Sequence, residues 1–470
     1  MKRLSGADSF MLGMETSKAY MHTFKVAIID PSTDPDGWSF DRFYQESARR
    51  IHHVPMLRWK YLDSPLGLNH PYWVEDPDFD LHYHIRRVAC PPPGDHKSLC
   101  EFMSSVYAYQ LDRDRPLWME WIVEGLADGK VAIVLLVHHA YVDGVGAAWL
   151  MQQFYQAQAG VKAESPPPYN PPPLPSWWTR LGWALRDWPE VMIGNLPKVA
   201  HGLWRKSQLD RQRKAAGLPP HPSGAMMKKT PINVALSAGR TFVCDSIPLQ
   251  RFILVSKGLG VTINDVFATC VAGAMRRLLG DLNYDPDTHP LIGGTPFAGQ
   301  RPPGMEGLGN FATLDYCWVR SDIADPLQRL HASHDANAEM KQHLKEIKEA
   351  GADLNAVMQI LPPWGITYIR KAIHRKGGSV SFFGNLALSN VPGPKEALYL
   401  DRWKIANWFS TGQIIDGTAI NITMWSYCGQ ANVCMLLDRE VLKDGWRLFA
   451  YFVEELDALV ALANQKEVVA

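Results

Sequence analysis

Val131-Ala132-Ile133-Val134-Leu135-Leu136-Val137-His138-His139-Ala140-Tyr141-Val142-Asp143-Gly144 is the stretch whose reading decides the fold. From Val131 to His139 it is short, strongly apolar and rich in β-branched residues, which predicts a buried strand. From Gly144 to Ala157 the spacing predicts a helix. A strand thus rises into two histidines, turns, and enters a helix at Asp143-Gly144. The turn sets an imidazole at a strand end, near the positive end of the next helix. Histidine titrates near physiological pH, which suits a base that takes a proton from an alcohol. Asp143 can orient the turn as a cap or through a salt bridge. Other readings stay open for these residues alone. One is a satisfied core histidine pair with an aspartate cap. A metal pair of His139 and Asp143 lacks any further Glu or His at ligand spacing nearby, so no metal is expected. A hydrolase triad lacks the G-x-S-x-G elbow.

Working outward, the chain divides near residue 165. Ser165-Pro166-Pro167-Pro168-Tyr169-Asn170-Pro171-Pro172-Pro173-Leu174-Pro175 reads as an extended polyproline spacer. Residues 176–206 then interleave Trp177, Trp178, Trp183, Trp188 and Trp204 with Arg180, Arg186, Lys198, Arg205 and Lys206, as helical pieces. Such a segment fits a membrane interface, and equally fits tryptophans packed on the protein's own surface. The expected organisation is an N-terminal half over 1–160, a crossover over 161–228 and a C-terminal half over 229–470. In the first half a helix is predicted over 40–51. In the second, strands are predicted over 242–247 and 381–391. A hairpin is predicted over 420–437 around Cys428-Gly429-Gln430. Helices are predicted over 262–279, with Gly280 as its stop, and over 446–462. Helices interleave with irregularly spaced strands, so the fold class is α/β with two halves.

Composition narrows the function. The 470 residues are ample for two or three domains at roughly 100–200 residues each. Lys+Arg and Asp+Glu both number 48, giving zero formal net charge, which sets nucleic-acid binding aside. Seven cysteines without a CxxC pair argue against a disulfide framework or structural zinc, and favour a reducing, cytoplasmic setting. The N-terminus shows no signal-peptide core, and the longest apolar run, 131–137, is far short of the ~20 residues of a membrane span. Contact with the inner membrane face or with lipid inclusions is therefore expected to be peripheral. Seventeen tryptophans fit either large cores or a lipid-handling surface. Gly307-x-Gly309-x-x-Ala312 satisfies a loose dinucleotide pattern, but a strand-like run follows it where that fingerprint needs a helix.

Several motifs together resemble the wax ester synthase/acyl-CoA:diacylglycerol acyltransferase family. His138 to Gly144 matches its HHxxxDG motif. Pro116-Leu117-Trp118 looks like its PLW motif, Asn264-Asp265-Val266 its ND motif, and Ser389-Asn390-Val391-Pro392-Gly393-Pro394 its SNVPGP turn. Leu4-Ser5-Gly6-Ala7-Asp8 with Met21-His22, and the stretch 421–427, resemble the family's start and its late strand. HHxxxDG alone is shared with other CoA-dependent acyltransferases and with peptide-synthetase condensation domains; the combination is more specific. The resemblance implies two chloramphenicol-acetyltransferase-like domains with mixed sheets and a tunnel at their interface. It implies His139 as general base for direct attack of a fatty alcohol or diacylglycerol hydroxyl on acyl-CoA, with no covalent intermediate and no bound cofactor. His138 and Gly144 belong to the same motif. Asp143 would be structural, paired with an arginine, for which Arg301 is the candidate. The family's Pro-Val-x-x-Arg stretch is lengthened here to Thr295–Arg301. Asn264 and Asp265 read either as a capping box with Thr262 or as the start of an oxyanion-stabilising helix terminus. Pro116, Leu117 and Trp118 are expected to pack around the tunnel, and Ser389 and Asn390 to fix its CoA side. Two alternatives remain: acyl transfer from a carrier-protein thioester, as in condensation domains, and an inactive lipid-binding or droplet-coating protein.

Overall fold

A computed structural model describes residues 2–164, 169–299, 301, 307, 309–349 and 356–469. Residues 165–168 of the polyproline run, and Gln300, Pro302 and Pro303 beside Arg301, lie outside them.

Two six-stranded mixed sheets carry the molecule. The first runs Tyr399–Leu400, Trp403–Thr411, His22–Asp30, Val131–His138, Trp118–Glu124 and Ile85–Ala89. All its pairings are antiparallel except the last. The second runs Thr313–Val319, Leu291–Phe297, Leu386–Val391, Ile420–Tyr427, Gln430–Asp438 and Arg240–Pro248, with Leu386–Val391 parallel to both neighbours. A small antiparallel sheet joins Lys2–Arg3, Tyr72–Glu75 and Trp59–Leu62. The fold class is thus α/β with mixed sheets, as the sequence predicts.

The first sheet takes a strand from late in the chain. Trp403–Thr411 pairs antiparallel with His22–Asp30, with a bulge between Ile405 and Asn407. Its residues also touch the second sheet: the Tyr427 hydroxyl donates to Ile405 O at 3.0 Å, and Trp408 lies 6.4 Å from Trp425 between ring centroids. Trp403 is fully buried; Trp38 packs on it at 4.6 Å, the Arg42 guanidinium lies 4.2 Å over its ring, and its Nε1 donates to Gly37 O at 2.9 Å.

The predicted elements at 40–51, 131–139, 242–247 and 420–437 all form, with ends shifted by a residue or two. The helix from Gly144 stops at Phe154 rather than Ala157, because Gln156 forms an edge bridge with Tyr399. The strand expected from Ser381 begins only at Leu386. Gly384 just before it has φ 74°, and a Cβ there would lie 2.6 Å from Ile292 O. Gly280 does not stop its helix, which runs Ile263–Asp281; Asn283, at φ 56°, takes the left-handed turn instead.

The crossover forms two exposed helices, Trp177–Trp188 and Leu196–Ala215. Trp183 packs on Tyr72 at 5.6 Å, so part of the segment does lie on the protein's own surface. Trp178 and Trp204 remain 75% and 53% exposed.

Trp403→Ala removes the largest anchor of the exchanged strand. It is expected to cost about 3–5 kcal/mol and to lower the thermal midpoint clearly; an unchanged midpoint would show that the strand contributes nothing to the fold.

Candidate active site

The histidine turn is held from three sides. The end of Val131–His138 pairs with the start of His22–Asp30, His22 opposite His138. His139 N donates to Met21 O at 2.7 Å and His138 N to Leu117 O at 2.9 Å. Asp143 caps the next helix: its Oδ1 accepts from Val145 N and Gly146 N at 3.1 and 3.0 Å. The same Oδ1 pairs with the Arg301 guanidinium, and Oδ2 accepts from Phe311 N at 2.9 Å. Arg301 therefore does meet Asp143. Gly146 permits this, because a Cβ there would stand 3.3 Å from Arg301 Nη2 and from Gly307 O.

This clasp lays residues 309–311 along the turn. Gly309 N donates to Tyr141 O at 2.7 Å. Asn310 then reaches His139: its Nδ2 donates to His139 O at 2.6 Å and to Asp8 Oδ1 at 2.9 Å, and its Oδ1 lies 2.8 Å from His139 Nδ1. A backbone carbonyl can only accept, so the amide's orientation is fixed. Oδ1 therefore receives a proton from Nδ1, and His139 Nε2 keeps its lone pair. Burial lowers the His139 pKa, with the Lys25 charge adding to it and Asp143 and Asn310 offsetting in part. The imidazole is neutral at neutral pH.

His138 differs in kind. It is fully buried, its Nδ1 accepts from Ala140 N at 3.0 Å, and burial drives its pKa down to about 3. Glu15 lies behind it. Burial alone would raise that carboxyl, but His22, His138 and Arg113 pull it down to about 2. His138 is a structural residue of the turn.

His139 faces a cavity enclosing about 1480 Å³ of empty space, its mouth included, between the two sheets. Among the described residues, Val142, Asp143 and Gly144 line it from the first half, Leu314, Phe383 and Ser389 from the second, and Ser410 and Thr411 from the exchanged strand. A Cβ on Gly144 would meet nothing within 4 Å, so its absence keeps this space open. Lys25 is buried in the wall, donates to Ser410 Oγ at 2.7 Å, and is brought down to about 8 by burial. It also lines a second, apolar cavity of about 530 Å³ with Leu57, Trp118, Leu150, Met151 and Trp408. Glu120 sits there, raised to about 8 by burial.

Not every expected residue reaches the His139 cavity. Pro116, Leu117 and Trp118 brace the turn from behind; Leu117 N donates to the Tyr141 hydroxyl at 3.0 Å, and Trp118 faces the second cavity. Asp265 closes a capping box with Thr262 and also takes His334 Nδ1 at 2.7 Å and Asn337 Nδ2 at 2.8 Å. Asn264 Oδ1 accepts from Asn390 Nδ2 at 3.3 Å, which ties the ND and SNVPGP motifs together beside the cavity rather than in its lining. Asn310 and Lys25 had no signal in the sequence. Asp8 had one, since Ser5-x-x-Asp8 forms a capping box, but nothing there pointed to His139.

The wax ester synthase/diacylglycerol acyltransferase catalytic-domain model matches residues 4–267, and the C-terminal domain model of the same family matches residues 308–460. The chain belongs to this family. It is an acyltransferase by that membership, which favours it over the condensation-domain and inactive readings. A Mycobacterium tuberculosis protein named as a diacylglycerol O-acyltransferase is 44% identical over 472 residues, covering 99% of this chain and 98% of that one. The O-acyltransferase WSD of Acinetobacter baylyi is 28% identical over 480 residues, covering 99% of each. In fold, the wax ester synthase/diacylglycerol acyltransferase of Marinobacter aquaeolei VT8 superposes with a TM-score of 0.68 at 23% identity, over 99% of this chain and 100% of that one.

Asn310→Ala leaves Nδ1 of His139 without its acceptor, so the ring loses both its orientation and its tautomer. Turnover is expected to fall about tenfold, with KM little changed. An unchanged turnover in a folded variant would remove Asn310 from the site.

Proposed function

We propose that this protein transfers a long-chain acyl group from acyl-CoA to the hydroxyl of a fatty alcohol or a diacylglycerol. The observation that carries this is a neutral histidine of fixed tautomer, His139, on a large cavity with a mostly apolar lining between two acyltransferase-like halves. His139 Nε2 takes the hydroxyl proton as the alcohol oxygen attacks the thioester carbonyl carbon. The tetrahedral intermediate then expels the CoA thiolate, which takes the proton back from His139. The ester and free CoA leave, and the histidine returns neutral. No serine or cysteine nucleophile is needed. Lys25 adds positive potential to the same cavity, which favours the negative charge that develops on the carbonyl oxygen. Asp143 and Arg301 hold the turn and do no chemistry.

His139→Ala is expected to cut acceptor-dependent thiol release from palmitoyl-CoA by about 10²–10⁴-fold, with hexadecanol and dipalmitoylglycerol assayed in parallel. Release that survives in the variant would remove His139 as base. The base works unprotonated, so kcat/KM rises with pH through the His139 ionisation, and it falls again as Lys25 loses its charge at about 8. Since burial holds that pKa below the ordinary 6.5, the midpoint of the rise is expected below pH 6.5. A midpoint above 6.5 would contradict the buried, neutral imidazole.

The same reading includes peripheral contact with lipid. Among the described residues no single helix is long and apolar enough to cross a membrane. Leu66, Trp178, Leu185, Trp364 and Tyr368 are all more than half exposed. Trp364 lies within 3.8 Å of where a Cβ on Gly67 would stand, so two of these surfaces adjoin. Arg180 and Arg186 lie with Trp178 on the helix Trp177–Trp188, and Arg370 and Lys371 lie with Trp364 on the helix Pro363–Arg375. Apolar rings among basic groups suit an anionic bilayer surface. Trp178→Glu with Trp364→Glu is expected to lower partition onto phosphatidylglycerol vesicles at least tenfold while acyl transfer to soluble acceptors persists. Undiminished partition would end this part of the reading.

A further inference from the structure

Behind the cavity wall, three residues from three distant parts of the chain converge. His221 comes from the end of the crossover, Asp315 from the strand Thr313–Val319, and His343 from the helix Pro326–Glu349. Their side chains are only 5–6% exposed. His221 Nε2 lies 2.9 Å from Asp315 Oδ1 and His343 Nδ1 lies 3.0 Å from Asp315 Oδ2, so each carboxylate oxygen faces its own imidazole nitrogen. The rings stack with centroids 3.6 Å apart. All three ligand atoms lie within 4.8 Å of one another.

The protons of this cluster raise a difficulty. If His221 is neutral and its Nε2 donates to Asp315, its Nδ1 carries a lone pair. That buried atom has no hydrogen-bond partner, and Glu339 Oε1 stands 3.9 Å away, a negative group facing a lone pair. A divalent cation among the three ligand atoms reverses the arrangement. Both facing nitrogens then give lone pairs to the ion, and the His221 proton moves to Nδ1, toward Glu339. An imidazole that binds a metal through one nitrogen and offers N–H to a carboxylate through the other is the usual second layer of such sites.

We propose that His221, Asp315 and His343 bind a divalent metal ion, with zinc the cation that their chemistry favours. Two imidazoles and a carboxylate suit zinc better than calcium or magnesium, which take mostly oxygen ligands. Bonds of about 2.0 Å at a tetrahedral angle put the ring centroids of two ligating imidazoles about 5 Å apart, so the two rings, stacked at 3.6 Å, have to turn out of their stack to share an ion. A fourth position is available on the cavity beside it, which Ser223 and Tyr316 line together with three cations, Lys206, Arg213 and Lys214, and with Asp210. Asp315 supplies the negative charge facing the ion, because Glu339 is already paired with the Arg213 guanidinium. The expectation of no metal rested on spacing around His139 and on the lack of a CxxC pair, and neither reaches this cluster, whose members lie 94 and 28 positions apart. The site pins the crossover to the strand whose Leu314 and Tyr316 line the catalytic cavity.

The other metal-type grouping among the described residues, His96 with Cys100 and Cys244, is the weaker one. His96 Nε2 lies 2.6 Å from Cys244 O, a carbonyl that only accepts, so that nitrogen carries a proton instead of a free lone pair.

The full chain, stripped with a chelator and dialysed, is titrated with Zn²⁺ by calorimetry and with Co²⁺ by visible absorption. One ion per chain is expected, with the intense bands of four-coordinate cobalt, and Zn²⁺ is expected to raise the thermal midpoint. Asp315→Asn and His343→Gln should each weaken binding at least tenfold, and His139→Gln should leave it unchanged. Three results would overturn the proposal: no uptake; uptake that survives Asp315→Asn but disappears in Cys100→Ser; or nitrogen-15 spectra of the wild-type chain in which His221 is doubly protonated at neutral pH and unmoved by Zn²⁺. The first and last of these are read on the wild-type chain and do not require the ligand variants to fold.

Discussion

The carboxylate of Asp143 is the interaction on which the site depends. One oxygen caps the helix that follows the histidine turn and pairs with Arg301; the other takes Phe311 N. These partners come from both halves of the chain. A carboxylate buried to this degree is stable only because every side of it meets a donor or a positive charge. Its satisfaction also sets the position of residues 309–311, and through that segment Asn310 meets His139. Closing the two halves and fixing the tautomer of the base are thus one event.

Two adjacent histidines show how environment assigns role. His138 points into a fully buried pocket of Glu15, His22 and Tyr107, where burial makes the protonated form too costly at any moderate pH. His139, one residue on, has one nitrogen fixed by Asn310 and borders a cavity open to substrate. Alternation along an extended backbone sends neighbouring side chains to opposite sides, so one histidine is a core residue and its neighbour can meet substrate.

The exchanged strand Trp403–Thr411 ties the cavity to the fold. It completes the first sheet, touches the second, and supplies Ser410 to the buried Lys25. Lys25 carries its charge at the junction of two apolar cavities, with Ser410 as its hydrogen-bond partner among the described residues. Such a group stays buried at a desolvation cost, which lowers its pKa, and its charge adds to the burial that keeps His139 unprotonated.

The sequence by itself determined the local events. Apolar β-branched residues before His138, a capping aspartate at 143, the Thr262 capping box and the 420–437 hairpin each encode their element within a few neighbouring positions, and the structure shows all of them. Motif order was enough to point to the family and to the Asp143–Arg301 pair. Tertiary structure decided what local pattern does not carry. The stop at Phe154 came from a distant edge strand at Tyr399, and the turn after Asp281 fell to Asn283 rather than Gly280. The partner of His139 is Asn310, a residue with no motif of its own, 171 positions away. Strand exchange, Lys25 in the wall and the His221 cluster are likewise contacts between segments remote in sequence. Their energies come from packing and charge in the closed molecule, where no periodicity along the chain can register them.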